Sequence, residues 1–487
     1  MPPATTESPW QHFGLGALIV FAAALPHSIA LAQIAVGLAL ALWIGGHLAR
    51  RKRLNAIPLV GPILCYLLVS TLAAIFSLEP LISVPKLRGV ALVLIVPLVA
   101  ESLRTSRQAI LLISVLLLSA SVSASFTWWE KIVGKGVEIV GVRPGSPLQT
   151  YFQPRDIVLS CGGEEIESPA HFEQLLVNHT KAAALQCRGL RGGILPFATD
   201  LAFDERFPPP TGEAWGYQVK TGRTSRARGR YSHYVTYAEV MLQLAALAAG
   251  LWLACRRKWS RLGVGWLVVT LLLAGALGAT FTRASWVALA FSGFLMLWLK
   301  LGWRGRAVAL ATAGVAVFTM NALLVELRGV GFYDPADISL QYRRMMWEDG
   351  LRLIGEHPWL GIGMDASLGR WQDLGLRAYE RFQLHSHFHS TPVQLAVERG
   401  LLGLAGWLLL MGAYLRTLLQ LVRRAEASQD RWGQQLGIGI LGATAGFLAS
   451  GLFHYNFGDS EVVMVFWLLA GVAVAYDTWQ SSSVATD

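Results

Sequence analysis

Apolar runs long enough to cross a hydrocarbon layer of about 30 Å alternate with short polar turns along most of the chain. The pattern predicts about twelve spanning helices, near residues 13–28, 30–48, 57–77, 86–102, 107–128, 233–255, 259–280, 284–302, 306–327, 393–421, 433–454 and 460–478. Two long polar stretches break the rhythm. One runs from about 129 to 232, and the other from about Gly329 to Gly400.

The short connections carry a charge pattern. HLARRKRLN follows the second span, CRRKWSR the sixth, LKLGWRGR the eighth and RTLLQLVRRAEASQDR the tenth. These basic connections fall on one side, which the bias of Lys and Arg assigns to the cytoplasm together with both termini. SLEPLISVPK, the 129–232 insert, TFTR, the 329–400 stretch and HYNFGDSE then face outward.

Within the insert the period changes from helical to strand-like. VEIVGV, the turn RPGSP, DIVLSCGGEEI, the amphipathic SPAHFEQLLVNH and AAALQCRGL predict a compact α+β unit. Cys161 and Cys187 each end a predicted strand there. Neighbouring strands would bring them together in a compartment that permits a disulfide, and two unpaired buried cysteines are the alternative.

Composition narrows the class. Of 487 residues, 54% are hydrophobic and 15% charged, against about 25% charged in a soluble domain. Mean hydropathy is +0.46. The formal charge of +10 sits mostly in the short loops, so topology rather than nucleic acid explains it. The four cysteines contain no CxxC, and no metal framework is read from them. The N-terminus has no basic n-region, so the first span is expected to remain uncleaved.

Candidate chemistry collects outside the membrane. KTGRTSRARGRYSHYVTYAEV brings Arg226, Arg228 and His233 to the start of a span, where polar residues are costly without a role. Arg283 stands in a very short outer turn, where the charge rule disfavours it. YRRMMWEDGLRLIGEH reads as an amphipathic helix carrying Arg343 and Trp347, and SLGRWQDLGLRAYERF as a second helix. In LHSHFHSTPVQLAVERG, Thr391 is the expected N-cap, Pro392 the first helical residue and Gln394 the capping-box partner. His389 then lies just outside a helix N-terminus, an end that favours anions. His385, His387 and His389 are spaced by two, so an extended backbone puts them on one face.

Two resemblances follow. VRPGSP, PRDIV, the Gly162–Gly163 turn and SPAHFEQLL are similar to a PDZ domain of the bacterial periplasmic-protease type, with Gly134 to Val137 at the position of the carboxylate-holding loop. Peptide tails bind such domains by strand addition, and a purely packing role is the alternative. TFTRASW, the Arg343 to Trp347 segment before HPWLGIG, HFHSTPVQLAVERGLLGL and RARGRYSHYVTYAE together resemble the O-antigen ligase and polymerase superfamily. Ser390 stands where that family often has Asn, and Thr282 where it usually has Ser.

The second resemblance implies an all-α polytopic membrane protein of C-type glycosyltransferase fold, in agreement with about twelve helices. The α+β PDZ-like insert, placed at the periplasmic side by the charge pattern, is not a general feature of that family. The organisation expected is helices 1–5 in residues 1–130, the PDZ-like domain in 131–206, and a basic loop with helices 6–9 in 207–328. A periplasmic catalytic loop follows in 329–390, then helices 10–12 in 391–487. The implied reaction is metal-independent, needs no cofactor, and moves a glycan from undecaprenyl diphosphate to lipid A–core at the periplasmic face of the inner membrane. Extension of a lipid-linked glycan is the polymerase alternative. A transporter of lipid-linked anionic cargo is a second, and a sensor or scaffold built on the PDZ-like domain a third. His389, then His387, would take the acceptor proton, with Arg283 and Arg226 on the diphosphate. Arg228, His233, Arg343, Trp347 and His385 would hold substrate.

Overall fold

The computed structural model describes residues 9–50, 57–178, 184–191, 195–202, 216–223, 226–328, 331, 337–382 and 386–484. In chain order the helices begin with α1 (Pro9–Ala24), α2 (Ile29–Arg50), α3 (Val60–Ile75), α4 (Pro80–Val90), α5 (Ile95–Ser102) and α6 (Ser106–Val133). The strands β1 (Val137–Val142), β2 (Ile157–Cys161) and β3 (Glu164–Glu165) follow, then α7 (Pro169–Asn178), β4 (Leu185–Arg191), β5 (Leu195–Leu201) and β6 (Tyr217–Thr221). The chain continues with α8 (Tyr234–Leu253), α9 (Arg261–Gly278), α10 (Arg283–Lys300), α11 (Trp303–Arg328) and α12 (Ile338–Glu356). It ends with α13 (Ala366–Gly369), α14 (Arg377–Phe382), α15 (Thr391–Ala427), α16 (Arg431–Ser450) and α17 (Ser460–Val484).

Each of the twelve apolar segments predicted from sequence is occupied by helix. Among the described residues, eight helical segments are long and apolar enough to cross a membrane, and Phe13–Ala24 and Val60–Ile75 are shorter apolar helices. The protein is thus mostly helical, as a polytopic membrane protein is. The remaining two segments are α10 and α16. A helix that faces protein on most sides can carry glycine and polar residues, and α16 is buried from Gln435 to Phe447.

The chain divides into two compact units, one of residues 1–123, 230–278 and 282–487, the other of residues 124–229 and 279–281. In the first unit α8 and α16 cross at glycines. A Cβ on Gly250 would lie 2.3 Å from the Gly439 Cα, so only this small pair permits the approach. About three turns of α8 away, Glu239 is buried at the other end of α16. Its carboxylate accepts from Ser285 of α10 (2.8 Å), Ser450 of α16 and the Asn456 amide (3.2 Å). A buried charge-bearing group needs such partners, and this one ties three helices and the following turn together.

The second unit is a sheet in the order β5-β4-β2-β1-β6, with β3 beside β2. All its pairings are antiparallel. Val137, Ile139, Val158, Phe172, Leu176 and Leu201 form its core with α7 over the sheet. Cys161 and Cys187 face each other in register on β2 and β4 and are joined as a disulfide, which settles the choice left open above. The expected position of a carboxylate-holding loop is corrected. Val137 opens β1, which is flanked by β2 on one side and β6 on the other, so Gly134 to Val137 leads into the sheet interior. The strands at the ends of the order are β5 and β6.

Candidate active site

The histidine stretch leads into α15 in the first unit. Ser390, not Thr391, is the N-cap, with extended backbone and no side-chain cap bond. Thr391 is drawn instead to the turn after α16. Its N–H donates to the Gly451 carbonyl (2.7 Å), and its hydroxyl faces the His454 carbonyl (3.2 Å) and Asn456 Oδ1 (3.0 Å). The capping box does not form. Gln394 accepts from the Phe388 N–H (2.6 Å) and donates to Glu398 Oε1 (2.8 Å), so its side chain fastens the histidine segment to the helix.

The extended arrangement of the histidines is also corrected. His389 has φ of +50°, a left-handed conformation that is uncommon outside glycine. It follows from two tethers, Phe388 N–H on Gln394 and His389 N–H on His387 Nδ1 (3.1 Å). The bend brings the two imidazoles to 4.4 Å between centroids, edge to face. Accepting that N–H leaves the neutral His387 ring its proton on Nε2. Tyr342 of α12 lies 5.4 Å from the His389 ring, and Tyr455 lies 5.8 Å from His387. His385 lies outside the described residues.

Both His389 ring nitrogens are buried and make no hydrogen bond, and so are Trp347 Nε1 and His454 Nε2. Buried polar atoms are normally satisfied. Several orphans in one place mark a site built for something else. Burial, then the charges of His387, Arg343 and His454, push the His389 pKa down to about 2. Burial and Arg343 lower His387 to about 4, with Asp459 and Asp365 opposing. Burial, Arg343 and His387 hold His454 well below the usual range. The three rings are therefore neutral at pH 7, and the cation that bears on all of them is Arg343.

A rigid frame holds this cluster. At Gly400 α15 breaks, with φ 64° and ψ −174°. HPWLGIG fills the break. Ile362 and Gly363 N–H groups donate to the Val397 and Glu398 carbonyls, while Leu401 N–H donates to the Pro358 carbonyl. Ser77 and Ser83 then hold that turn through the Ile362 (3.1 Å) and Met364 (2.9 Å) carbonyls. Glu398 and Arg399 are both buried. Glu398 accepts from Asp365 N–H (2.9 Å) and Tyr455 hydroxyl (3.3 Å), and Arg399 donates to Tyr66 hydroxyl (2.6 Å). The predicted second helix is instead the short α13 and α14, separated by a turn in which Gly375 takes φ +56°.

The other expected residues are placed as follows. Arg283 opens α10 and donates to the Gly331 carbonyl (2.6 Å) and to Asp337. Asp337 also caps α12 by accepting from Ser339 N–H (2.8 Å). Burial raises the Asp337 carboxyl, but Arg283 outweighs it and the net shift is downward. His233 caps α8, accepting from Val235 N–H (3.2 Å), and its charge when protonated bears on His387. Trp347 packs 6.3 Å from Phe453. Arg226 and Arg228 belong to the second unit. His454, Asp459, Asp365 and Glu398 complete the site and were not among the expected residues. Their sequence signals, polar positions in HYNFGDSE, GMDA and VERG, are too short to single out.

No curated protein matches the chain at a significant level. Residues 268–408 match a family model, Wzy_C, described as O-Antigen ligase. That stretch carries Arg283, Arg343, His387 and His389, and the match supports the O-antigen ligase superfamily for this chain.

Proposed function

We propose that the chain is a glycosyltransferase of the O-antigen ligase type. It moves a glycan from undecaprenyl diphosphate to an acceptor hydroxyl, such as one on lipid A–core, at the periplasmic face of the inner membrane. The observation that carries this reading is His389, buried with both ring nitrogens unpaired beside Arg343. The disulfide on the outward-facing insert supports the assigned side, because such bonds persist in oxidising compartments.

In this reading the acceptor oxygen attacks the anomeric carbon and the bond to the diphosphate oxygen breaks. The acceptor proton passes to His389, and negative charge grows on the departing diphosphate. Guanidinium groups stabilise that charge without giving up a proton. Arg343, whose charge bears on all three histidines, takes this role, and Arg283 is the further candidate in the same unit. Arg283 must exchange Asp337 for phosphate to take part.

A base with pKa near 2 is too weak for efficient proton transfer, which favours a value near the working pH. Burial, the largest cause of the depression, remains when the donor arrives, but a diphosphate opposes the cationic part. The diphosphate neutralises Arg343, and its own charge raises His389. The donor thus activates the base that serves its cleavage.

Purified protein supplied with lipid-linked donor and lipid A–core tests the reading. Transfer of one glycan to the core is expected, and His389→Ala should lower turnover by about 10²-fold or more while sparing donor binding. A ladder of lengthened lipid-linked glycan would show the polymerase instead, and near-normal turnover in the variant would remove His389 from the role. The second unit stands in this proposal as a PDZ-like module that binds a peptide or protein partner.

A further inference from the structure

A cavity of about 460 Å³ lies where α8 ends and α16 begins, lined by Arg256, Arg257, Leu262, Arg431, Trp432 and Gln435 among others. All of these residues belong to the first unit. The basic-loop pattern assigns this end of the helices to the cytoplasm, opposite the histidine site. Three arginines converge on one space. None of the three has an ion-pair partner among the described residues.

Inside the cavity wall, Gln435 is 6% exposed, and its Oε1 is buried with no hydrogen bond. The end of α16 is not the missing partner. Asp430 already accepts from the Trp432 and Gly433 N–H groups at 3.1 Å each. The donor set facing the cavity is therefore guanidinium, and the unmet acceptor is an amide oxygen. An anion that also carries hydroxyl groups satisfies both.

The surroundings are those of a lipid interface. Leu262, Val264, Val268 and Leu271 of α9 are exposed, and so is Trp259 at 81%. Exposed apolar residues along a spanning helix lie against acyl chains, and Trp sits at the headgroup level. Lys258 adds charge at the same level, its ammonium 5.3 Å from the Trp252 ring.

We infer that this cavity holds the headgroup of an anionic phospholipid of the cytoplasmic leaflet, the phosphoglycerol class. The phosphate lies among Arg256, Arg257 and Arg431, a glycerol hydroxyl donates to Gln435 Oε1, and the acyl chains run along α9. Basic pockets between helices on the cytoplasmic side are suited to such headgroups.

The test is native mass spectrometry of the full-length protein in detergent, titrated separately with phosphatidylglycerol, phosphatidylcholine and soluble glycerol phosphate. The expected result is retention of phosphatidylglycerol well above phosphatidylcholine, with no retention of glycerol phosphate. Arg257→Gln with Arg431→Gln should weaken phosphatidylglycerol binding by roughly thirtyfold, while the charge-matched control Arg416→Gln with Arg423→Gln leaves it unchanged. Gln435→Leu keeps every charge and should lower the preference for phosphatidylglycerol over phosphatidic acid, which lacks the hydroxyls. Equal losses in the two arginine pairs would reduce the effect to general charge and overturn the site. Equal retention of glycerol phosphate would make it a soluble-anion site, and an unchanged headgroup preference in Gln435→Leu would remove the hydroxyl contact.

Discussion

His389 combines a left-handed backbone, a buried ring and two unpaired nitrogens, and each property depends on its neighbours. The backbone is set by His387 and Gln394, Tyr342 packs on the ring, and the field comes from His387, Arg343 and His454. A consequence can be read in the pH dependence of transfer. The kcat/KM profile reports the free enzyme, and that of kcat the donor complex. In the free enzyme His389 is depressed, so the acid limb of kcat/KM should fall below pH 6.5, and that of kcat at a higher pH. The opposite order would mean that the donor does not raise the base. Asp337 gives a second expectation. Its carboxylate occupies Arg283 where a phosphate would bind. Asp337→Asn should tighten binding of lipid-linked diphosphate several-fold if Arg283 is a donor ligand, measured by titration. Weaker binding would show that the pair serves only to hold α12. His387 and His389 were legible in the sequence because a helix start with proline in its first turn follows them, although the capping box expected there does not form. His454 and Asp365 were not, because only tertiary packing brings them there.

At the scale of elements, α15 is two helices joined at a glycine. Backbone of this kind costs most residues about 1–3 kcal/mol, and a Cβ on Gly400 would lie 2.1 Å from the Trp359 carbonyl oxygen. Gly400→Ala should therefore lower stability by at least about 3 kcal/mol, seen as a reduced midpoint of thermal unfolding in detergent. The sequence VERGLLGL reads as continuous helix because its apolar period is unbroken across Gly400. Only the turn HPWLGIG, docking from forty residues upstream, supplies the replacement hydrogen bonds. The reverse happened at SLGRWQDLGLRAYERF. There an apolar period predicted one helix, while the positive φ at Gly375 separates two short ones. Local pattern finds the helices and misses the places where a partner segment outbids helical continuity.

For the whole molecule, alternating hydropathy located the helices, and a change of period located the strands of the second unit. It did not find β5 or β6: LPFATDL has a proline inside it and does not read as a strand, while β6 pairs with β1 across about eighty positions and YQVKT is too short to carry a pattern. The disulfide closes a separation of 26 residues, for which chain entropy predicts about 3.5 kcal/mol. Cys161→Ala with Cys187→Ala should accordingly speed hydrogen exchange at β2 and β4 in the full protein. The helices of the first unit should keep their protection. Loss of protection across both units would show that the two unfold together.

The break at Gly400 also bears on how the chain enters a membrane. Leu401 to Ala427 alone extends about 40 Å as helix, enough to span the hydrocarbon without help from the residues before it. The preceding stub, Thr391 to Arg399, carries a buried Glu398 and Arg399 whose partners Asp365, Tyr455 and Tyr66 come from three other segments. Such a stub has no reason to enter lipid during synthesis. Its full set of partners exists only once the later turn that bears Tyr455 has been made, so the histidine site is completed by chain that follows it in sequence.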